Sequence, residues 1–327
     1  MDLFKKLSIL TAVLAMVFIA AGCKEDEEEE STAQSMTGSV VYDIPYYVLK
    51  GETVTLSASG IEYPEKVKYK WYVTGVYSDT LHTDKVTVRF PDSIGVFNVT
   101  CYSFFNDFYS TSTSQDVTTI DTTWNTSLYG LAKGDGIFVD PRDDRSYGYV
   151  TLGGLDWMNG NLGWTGSGVP FRKSPSTASM FGCFYTWDEA LTACPEGWSL
   201  PTNSDWESLA AAVGGQPVAF SGNWQGLAHK LSANALLNDE KMWPYSPDNN
   251  HDNSAAWNAI PLGYTFASAT SFSGMNEYAY WWSATEKNPA QAYYRYMWQG
   301  NDNFPMGFAD KSDLRASVRC VRTHPQS

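Results

Sequence analysis

Short runs of alternating residues dominate the chain from residue 36 to about residue 121. Six of these runs are SVVYDI, TVTLSAS, VKYKWYVT, KVTVRF, VFNVTCYSF and STSTSQDVTTI. Alternation with a period of two predicts strands, and segments such as SASGIEYPEK and FPDSIG supply the turns between them. Six or seven strands at this spacing predict an all-β sandwich over residues 36–125, with Trp71 as the core residue of a central strand.

This segment resembles the PKD-like or Ig-like modules that precede functional domains in surface lipoproteins. The resemblance rests on the strand YKWYV and on the strand with the pattern G-x-F-N-V. It implies a spacer that holds the next domain away from a membrane, because the segment contains no catalytic constellation.

An apolar leader at the start of the chain ends at Cys23. Lys5 and Lys6, followed by LSILTAVLAMVFIAAG, have the layout of a secretory signal peptide, predicted over residues 1–22. The run is at the short end of what crosses a bilayer, and no basic flank follows it. The sequence AAGC, residues 20–23, resembles the lipobox of bacterial lipoproteins, although Ala20 stands where Leu is commoner. The resemblance implies a lipoprotein with a palmitate-type acyl anchor on Cys23.

The sequence KEDEEEE follows this cysteine directly, within a tether over residues 23–35. It resembles the signal by which Bacteroidota send lipoproteins to the outer face of the outer membrane. The resemblance implies a surface-exposed protein of the cell outer membrane, facing the exterior. An alternative is a solvated tether that self-repulsion keeps extended, and both descriptions can hold together.

Composition limits the classes of partner. Lys and Arg number 22 against 36 Asp and Glu, which gives a net charge of −14. Nucleic acid is therefore excluded as a partner, because phosphate binding requires a basic footprint. The 13 Trp and 20 Tyr residues predict either a Trp-rich core or an aromatic binding surface.

From about residue 130 the chain becomes rich in Gly, Trp and Asn, which indicates a second domain over residues 130–323. The run YTWDEALTAC predicts a helix capped by Thr186 or Asp188. A second helix is predicted from Asn203, with a capping box from Ser204 to Glu207 and with Gly214 at its end. Three β-rich runs follow, EYAYWWSATE, AYYRYMWQG and RASVRCVR, and the last two are expected to flank a turn at residues 301–303. The fold class predicted for this domain is α+β.

Five ordered blocks in this region carry a family resemblance: DPRDDRSYGYVTLGGLDWMNGNL, FYTWDEALTACPEGWSLPTNSDWESL, AIPLGY, YWWSATE and ASVRCVR. They resemble the Fibrobacter succinogenes major paralogous domain, which looks like a C-type-lectin-like fold related to the formylglycine-generating sulfatase modifiers. The resemblance implies the fold more strongly than a function, because the family is known mainly as a domain of surface proteins.

In C-type-lectin-like folds a cysteine at the end of the first helix pairs with one on the last strand. The resemblance therefore implies a disulfide between Cys194 and Cys320, in an oxidising compartment. For Cys101 and Cys183 we expect buried free thiols, with an interdomain disulfide as the alternative.

The modifier enzymes that this domain resembles use a cysteine pair and copper near the C-terminal part of the domain. Here that region contains Cys320 alone. The four His residues, at positions 82, 229, 251 and 324, are too scattered for a metalloprotease motif or a catalytic triad. We therefore predict no enzyme activity, no cofactor and no catalytic residues, and a formylglycine-type oxidase is the weakest alternative.

The sequence gives no better support for metal binding than for enzyme activity. True C-type lectins bind calcium and sugar through a Glu-Pro-Asn or Gln-Pro-Asp loop, and residues 286–289 and 299–302 only echo that pattern. DNNHDNS starts like a calcium loop, but Asn253 replaces the required Gly and Ala259 stands at the position of the bidentate Glu. Polar turns explain both segments better, and no metal site is predicted.

Aromatic residues in the variable stretches are the candidates for ligand binding: Trp243, Tyr245, Trp298, Asn301 and Asp302. Their segments, MWPYSPDNN and MWQGNDNF, come from regions that neighbour each other in C-type-lectin-like folds. Flat rings beside amides and carboxylates suit glycan or peptide capture. The alternative is that these rings pack their long loops onto the domain.

The functional hypothesis is a non-catalytic recognition module that captures a glycan or a peptide, accessory to a TonB-dependent nutrient importer. An adhesin or scaffolding component that binds protein partners is the alternative.

Overall fold

The computed structural model describes residues 38–61, 67–78, 83–105, 109–122 and 127–324. In these residues strands predominate and the few helices are short. All of them fall within one compact unit, Gly38–Ser327. No helix in the described ranges is both long and apolar enough to cross a membrane. The predicted signal peptide, lipid-attachment residue Cys23 and acidic tether lie outside the described residues.

The N-terminal part of the unit is a β-sandwich. Its strands are β1 (Gly38–Asp43), β2 (Tyr47–Leu49), β3 (Thr53–Ile61), β4 (Val67–Val73), β5 (Tyr77–Ser78), β6 (Lys85–Arg89), β7 (Gly95–Phe105) and β8 (Tyr109–Ile120). One sheet has the order β1-β3-β6 and the other has the order β2-β8-β7-β4-β5. The alternating runs of the sequence form six of these strands, and β2 is an additional short strand that runs parallel to β8.

The sandwich core lies between these two sheets. Trp71 on β4 is fully buried, as expected, and its ring makes an edge contact with Tyr42 on β1 at 6.5 Å between ring centroids. The Tyr42 hydroxyl lies 3.0 Å from Ser103 Oγ on β7, so the two sheets are joined by a polar contact as well. Each inward residue of β4 alternates with a more exposed one, which is the pattern that the sequence shows.

The C-terminal part contains eighteen strands among its described residues, most of them short. They are β9 (Leu128–Tyr129), β10 (Gly136–Asp140), β11 (Arg145–Leu152), β12 (Leu155–Met158), β13 (Val169–Pro170), β14 (Cys183–Tyr185), β15 (Gln216–Pro217), β16 (Trp224–Gln225), β17 (Leu236–Leu237), β18 (Glu240–Lys241), β19 (Tyr264–Phe266), β20 (Phe272–Ser273), β21 (Tyr278–Asn288), β22 (Gln291–Trp298), β23 (Asn303–Phe304), β24 (Met306–Asp310), β25 (Leu314–Ser317) and β26 (Val321–Thr323). The main sheet has the order β13-β14-β25-β21-β22-β24, with β19 and β20 attached at β25. A second sheet has the order β10-β11-β12-β26.

The helices of this part are α1 (Ala178–Phe181), α2 (Trp187–Ala193), α3 (Asn203–Ala212) and α4 (Ala228–Leu231), preceded by 3-10 turns at Phe171–Lys173 and Pro175–Thr177. Helix α2 starts at the predicted place, and Thr186 and Glu189 form its capping box. The predicted capping box of α3 is wrong: Thr202 caps the helix together with Asp205, instead of Ser204 with Glu207. Thr202 precedes the candidate by two residues and offers the same hydroxyl chemistry.

The end of the chain also differs from the expectation. Strands β21 and β22 form a long hairpin, but the turn at residues 301–303 leads into β23 and β24 before the last run begins. That run, RASVRCVR, is divided between β25 in the main sheet and β26 in the second sheet. The break between them places Arg319 and Cys320 at the junction of the two sheets, and both side chains are fully buried.

The sandwich and the C-terminal part share a hydrophobic cluster. Tyr47 and Ile120 from the sandwich belong to the same cluster as Phe171, Phe181 and Phe184. The backbone N–H of Tyr47 also donates to Ser174 Oγ at 3.1 Å. Because this junction is packed, we expect the two parts to move together. The domain boundaries at residues 125 and 130 stay a prediction.

Arg319 is the polar centre of the C-terminal part. Its guanidinium donates to Asn161 Oδ1 at 2.9 Å, to the carbonyl oxygens of Met158 and Trp257 at 3.1 and 2.6 Å, and to that of Asn258 at 2.8 Å. The guanidinium also lies over the Trp257 ring, 4.0 Å from its centroid. These contacts join the loop after β12, the loop before β19 and the last strands.

The cysteines are arranged as expected. Cys194, at the C-terminal cap of α2, forms a disulfide with Cys320, and their Cα atoms are 5.8 Å apart. Cys101 on β7 and Cys183 on β14 are free and buried. Burial raises the pKa of each of these two thiols to about 12, so they stay protonated at neutral pH.

We expect Cys194→Ser and Cys320→Ser each to lower the free energy of unfolding by about 4 to 5 kcal/mol, because the disulfide closes a loop of over a hundred residues. The double variant should lose no more than either single variant, since all three remove one constraint. Urea unfolding followed by tryptophan fluorescence measures this. Additive losses in the double variant would show that the two thiols act independently.

Candidate recognition surface

Trp243 does not offer a stacking surface, which corrects the expectation for this residue. Its side chain is 3% exposed and belongs to the hydrophobic core of the C-terminal part. The indole N–H donates to the carbonyl oxygen of Ala259 at 2.9 Å, and the indole ring stacks on His251 with 5.2 Å between centroids. A ring with both its polar group and its faces occupied holds its loop against the domain.

Asn301 and Asp302 are largely occupied by the protein itself. Asn301 Oδ1 accepts from the backbone N–H of Asn303, which closes the turn after β22. Asp302 accepts from the backbone N–H of His229 at 2.7 Å and lies 2.8 Å from His229 Nδ1. These side chains therefore stabilise the turn and attach it to α4.

The two variable segments meet in the structure. Asn249 Nδ2, from the loop that follows Trp243, donates to the carbonyl oxygen of Asn301 at 3.0 Å. Tyr245 in the same loop is 85% exposed, the highest exposure among the residues proposed for ligand binding. Tyr245 remains a binding candidate on the rim of this region.

Trp298 is half-buried and belongs to a larger aromatic surface. We call this surface the tyrosine face and define it as Tyr264, Tyr278, Tyr280, Tyr294, Tyr296 and Trp298. All six side chains are partly exposed. In the β21–β22 register Tyr278 pairs with Trp298 and Tyr280 pairs with Tyr296, so their side chains lie on the same side of the hairpin.

The rings of the tyrosine face form a continuous stack. Tyr280 and Tyr296 are parallel within 12°, with 5.5 Å between centroids, and Tyr296 and Trp298 are parallel within 20° at 5.7 Å. Tyr264 and Tyr294 make edge contacts with Tyr280 at 5.2 and 5.4 Å. Each ring is held by its neighbours, so this surface is organised before any ligand binds.

The opposite side of the same hairpin is buried. Ala279, Trp281, Arg295 and Met297 alternate with the residues of the tyrosine face and point into the core. The Trp281 indole N–H donates to Asn161 Oδ1 at 2.9 Å. The buried side of the hairpin therefore holds it in position against the core.

The tyrosine hydroxyls of this face are available to a ligand. Among the described residues, none forms a hydrogen bond with the hydroxyls of Tyr264, Tyr278, Tyr280, Tyr294 or Tyr296. Burial, with a contribution from neighbouring tyrosines, raises the pKa of Tyr280, Tyr294 and Tyr296 above the ordinary value. At neutral pH these groups are uncharged hydroxyls, each able to donate and to accept.

The sequence interpretation named none of the five tyrosines of this face, because it took its aromatic candidates from the variable stretches between the family blocks. A usable signal was present. In YAYWW and YYRYMW, aromatic residues recur at every second position, and both runs were predicted as strands. A period of two places such residues on one face, and a face with five tyrosines and tryptophans is a candidate surface.

Two observations on the described part of the chain concern metal and thiol chemistry. No group of three or more His, Cys, Asp or Glu side chains there is arranged to hold a metal ion. The two free thiols are buried and protonated, as described above, which removes the thiolate that cysteine chemistry requires.

The chain thus combines a β-sandwich with a disulfide-containing, strand-rich part that carries a partly exposed aromatic face. Residues 150–322 match the model of the Fibrobacter succinogenes major domain. This match covers more than half of the chain, and the chain belongs to that family. The domain identity inferred from the five sequence blocks is confirmed.

Other comparisons add little. A comparison with curated proteins gives no match. A solved structure from work on carbohydrate-binding modules of the β-sandwich superfamily is 13% identical, over 90% of this chain and 94% of that chain, with a TM-score of 0.23. The Yersinia pseudotuberculosis adhesin InvE is 12% identical, over 88% of this chain and 70% of that chain, with a TM-score of 0.24. TM-scores this low establish no shared fold.

Because Trp243 is buried and Trp298 is partly exposed, their truncation to Ala should lower the stability by different amounts. Trp243→Ala should lower the free energy of unfolding by roughly 3 to 5 kcal/mol, because it opens a cavity in the core. Trp298→Ala should cost no more than about 1 kcal/mol, because the ring is partly exposed. Thermal melts of the two variants measure this without any ligand. A large loss of stability in Trp298→Ala would make Trp298 a core residue and remove it from the tyrosine face.

Proposed function

We propose that this protein is a lipid-anchored, surface-exposed outer-membrane protein whose C-terminal domain is a non-catalytic recognition module. In this proposal the domain has a C-type-lectin-like fold and captures a glycan or a peptide, and the PKD/Ig-like sandwich is its spacer. The observation that carries the recognition role is the tyrosine face.

The chemistry of the tyrosine face suits a glycan. Sugar rings have apolar faces that stack on aromatic rings, and their hydroxyls need donors and acceptors at the edge. The tyrosine face offers parallel rings together with unpaired tyrosine hydroxyls. A rigid surface also limits the entropy that is lost on binding, because the side chains are already ordered.

The location and the partner are proposed from the sequence. Acylation of Cys23 and the acidic run after it support a position on the outer face of the outer membrane. Capture of a nutrient there would serve a TonB-dependent importer, and the neighbouring genes discriminate the alternatives. An importer pair would favour capture, whereas fimbrial genes would favour an adhesin or scaffold with protein partners.

The test of recognition uses the full chain in detergent on glycan and peptide arrays. Tyr296→Ala and Trp298→Ala should weaken binding of the strongest array ligand by tenfold or more, because aromatic hot spots contribute more than about 1 kcal/mol each. Tyr296→Phe keeps the ring and should show how much of the loss comes from the hydroxyl.

Tyr102→Ala is the matched control. Tyr102 lies on the sandwich, is 39% exposed and contacts the rings of Tyr72 and Phe104, so it is an exposed tyrosine within an aromatic group away from the tyrosine face. This variant should bind as the parent does. Parent-like binding by both Tyr296→Ala and Trp298→Ala would place the ligand elsewhere and end the proposal for the tyrosine face.

The anchor is tested by protease shaving of intact cells. Cys23→Ser should leave a soluble or unprocessed chain, because the acylated thiol is lost. Replacing residues 25–30 with Ala should retain the lipid but remove surface exposure. Equal shaving of the Ala-substituted protein and the parent would mean that the acidic run is only a tether.

A further inference from the structure

A cleft with a volume of about 620 Å³ lies in the C-terminal part of the unit. Its walls come from the residues before β10, the β10–β11 hairpin, the loop after β12 and helix α1. None of the residues of the tyrosine face lines it. The volume lies within the range of small-ligand sites in proteins, so the cleft is large enough for a few residues of a ligand.

The asparagines of the cleft hydrogen-bond to the backbone of its walls. Asn159 and Asn258 each donate to the carbonyl oxygen of Ala132, at 3.2 and 2.8 Å. Asn161 donates to the carbonyl oxygen of Phe181 at 3.1 Å and accepts from Arg319. These bonds fix the shape of the cleft and leave its binding chemistry to other groups.

Two cationic residues, Arg145 and Lys133, line the cleft, and none of its lining residues is a carboxylate. Arg145 Nη1 donates to the carbonyl oxygens of Gly163 and Ala178, and its Nε lies 3.9 Å from Asp143 Oδ2. The Arg145 side chain is 24% exposed. Lys133 is exposed and makes no ion pair within the described ranges. On a chain with a net charge of −14, this local positive charge favours an anionic group.

The apolar walls of the cleft are aliphatic. Leu131, Ile137 and Met180 line it, and the Ile137 side chain is 74% exposed. The aromatic residue Tyr147 also lines it, but its side chain is 6% exposed and its hydroxyl accepts from the backbone N–H of Gly163. A sugar would lack a ring to stack on, whereas an aliphatic side chain would find matching surface.

Strand β10 gives the cleft a backbone edge. It is the edge strand of its sheet, and Gly136 and Ile137 at its start line the cleft. An edge strand offers backbone hydrogen bonds to an extended peptide, which adds to the sheet as a further strand.

We propose that this cleft binds the C-terminal end of a peptide chain whose last residue is aliphatic. The terminal carboxylate pairs with Arg145 and Lys133, and the last side chain packs against Ile137, Leu131 and Met180. The peptide backbone lies along β10. This site is independent of the glycan chemistry of the tyrosine face.

The test uses the full chain in detergent and a library of five-residue peptides that end in Leu, Ile or Val. Each peptide is prepared with a free C-terminal carboxylate and as the C-terminal amide, and calorimetry measures the affinity. The free acid of the best peptide should bind at least tenfold more tightly than its amide, because the amide loses the charge that the cationic pair recognises.

Two variants locate the binding in the cleft. Lys133→Glu should weaken the binding of the free-acid peptide by tenfold or more. Lys85→Glu, at an exposed position of the sandwich, is its control and should bind the peptide as the parent does. Gly160→Phe should abolish binding, because Gly160 lines the cleft and the ring would occupy the space of the ligand, while a Cβ added at this position meets no atom within 4 Å. Arg145 is left unchanged because it also supports the fold.

Equal binding of acid and amide, or binding that survives both Lys133→Glu and Gly160→Phe, would overturn the proposal. Failure of every free-acid peptide to bind would also overturn it. The same holds if a uronic-acid oligosaccharide binds the parent and Gly160→Phe abolishes that binding, because the cleft would then be a sugar site. Tyr296→Ala should leave peptide binding in the cleft unchanged, so failure of this site and failure of the tyrosine face are separate results.

Discussion

Arg319 brings a positive charge into the core of the C-terminal domain, and the loops around it are arranged to satisfy that charge. Its guanidinium meets four oxygen acceptors and the face of Trp257. Burial lowers its pKa to about 9, which still leaves it charged at neutral pH. A buried charge is tolerated only when its donors are paired, and the unpaired acceptors would each cost about 1 to 3 kcal/mol if it were removed. Long irregular loops therefore acquire one defined arrangement.

The same network reaches the hairpin that carries the tyrosine face. Asn161 Oδ1 accepts from Arg319 Nε and from the Trp281 indole N–H, each at 2.9 Å. Trp281 lies on β21 beside Tyr280, and adjacent residues of a strand point to opposite faces. Fixing Trp281 in the core thus fixes the position of the tyrosines on the outer face. The disulfide between Cys194 and Cys320, one residue from Arg319, ties α2 to the same junction. This arrangement holds the tyrosine face in one defined conformation.

Local signals in the sequence predicted local structure well. The sandwich strands, helices α2 and α3 and the disulfide follow from alternation, capping residues and the family resemblance. The capping box of α3 was misplaced by two residues, because Thr202 and Ser204 offer similar chemistry and only the course of the chain before the helix separates them.

Trp243 was misjudged for a different reason. Its burial depends on contacts with Ala259 and His251, and no short-range pattern encodes the packing of a long loop. The contacts of Arg319 with two distant loops could not be predicted from the sequence for the same reason.

The buried polar network around Arg319 holds the tyrosine-bearing hairpin in place. Amide hydrogen exchange of Arg319→Lys tests it directly, with Arg322→Lys as the control, because Arg322 is partly exposed and pairs with Asp156. Lysine keeps the charge but cannot reproduce the planar fork of donors. The account predicts that amides of β21 and β22 exchange at least about 100-fold faster in Arg319→Lys, which corresponds to roughly 2.8 kcal/mol at 1.4 kcal/mol per factor of ten. The control should retain parent-like protection of the hairpin. Faster exchange confined to residues next to position 319, with β21 and β22 still protected, would contradict the account.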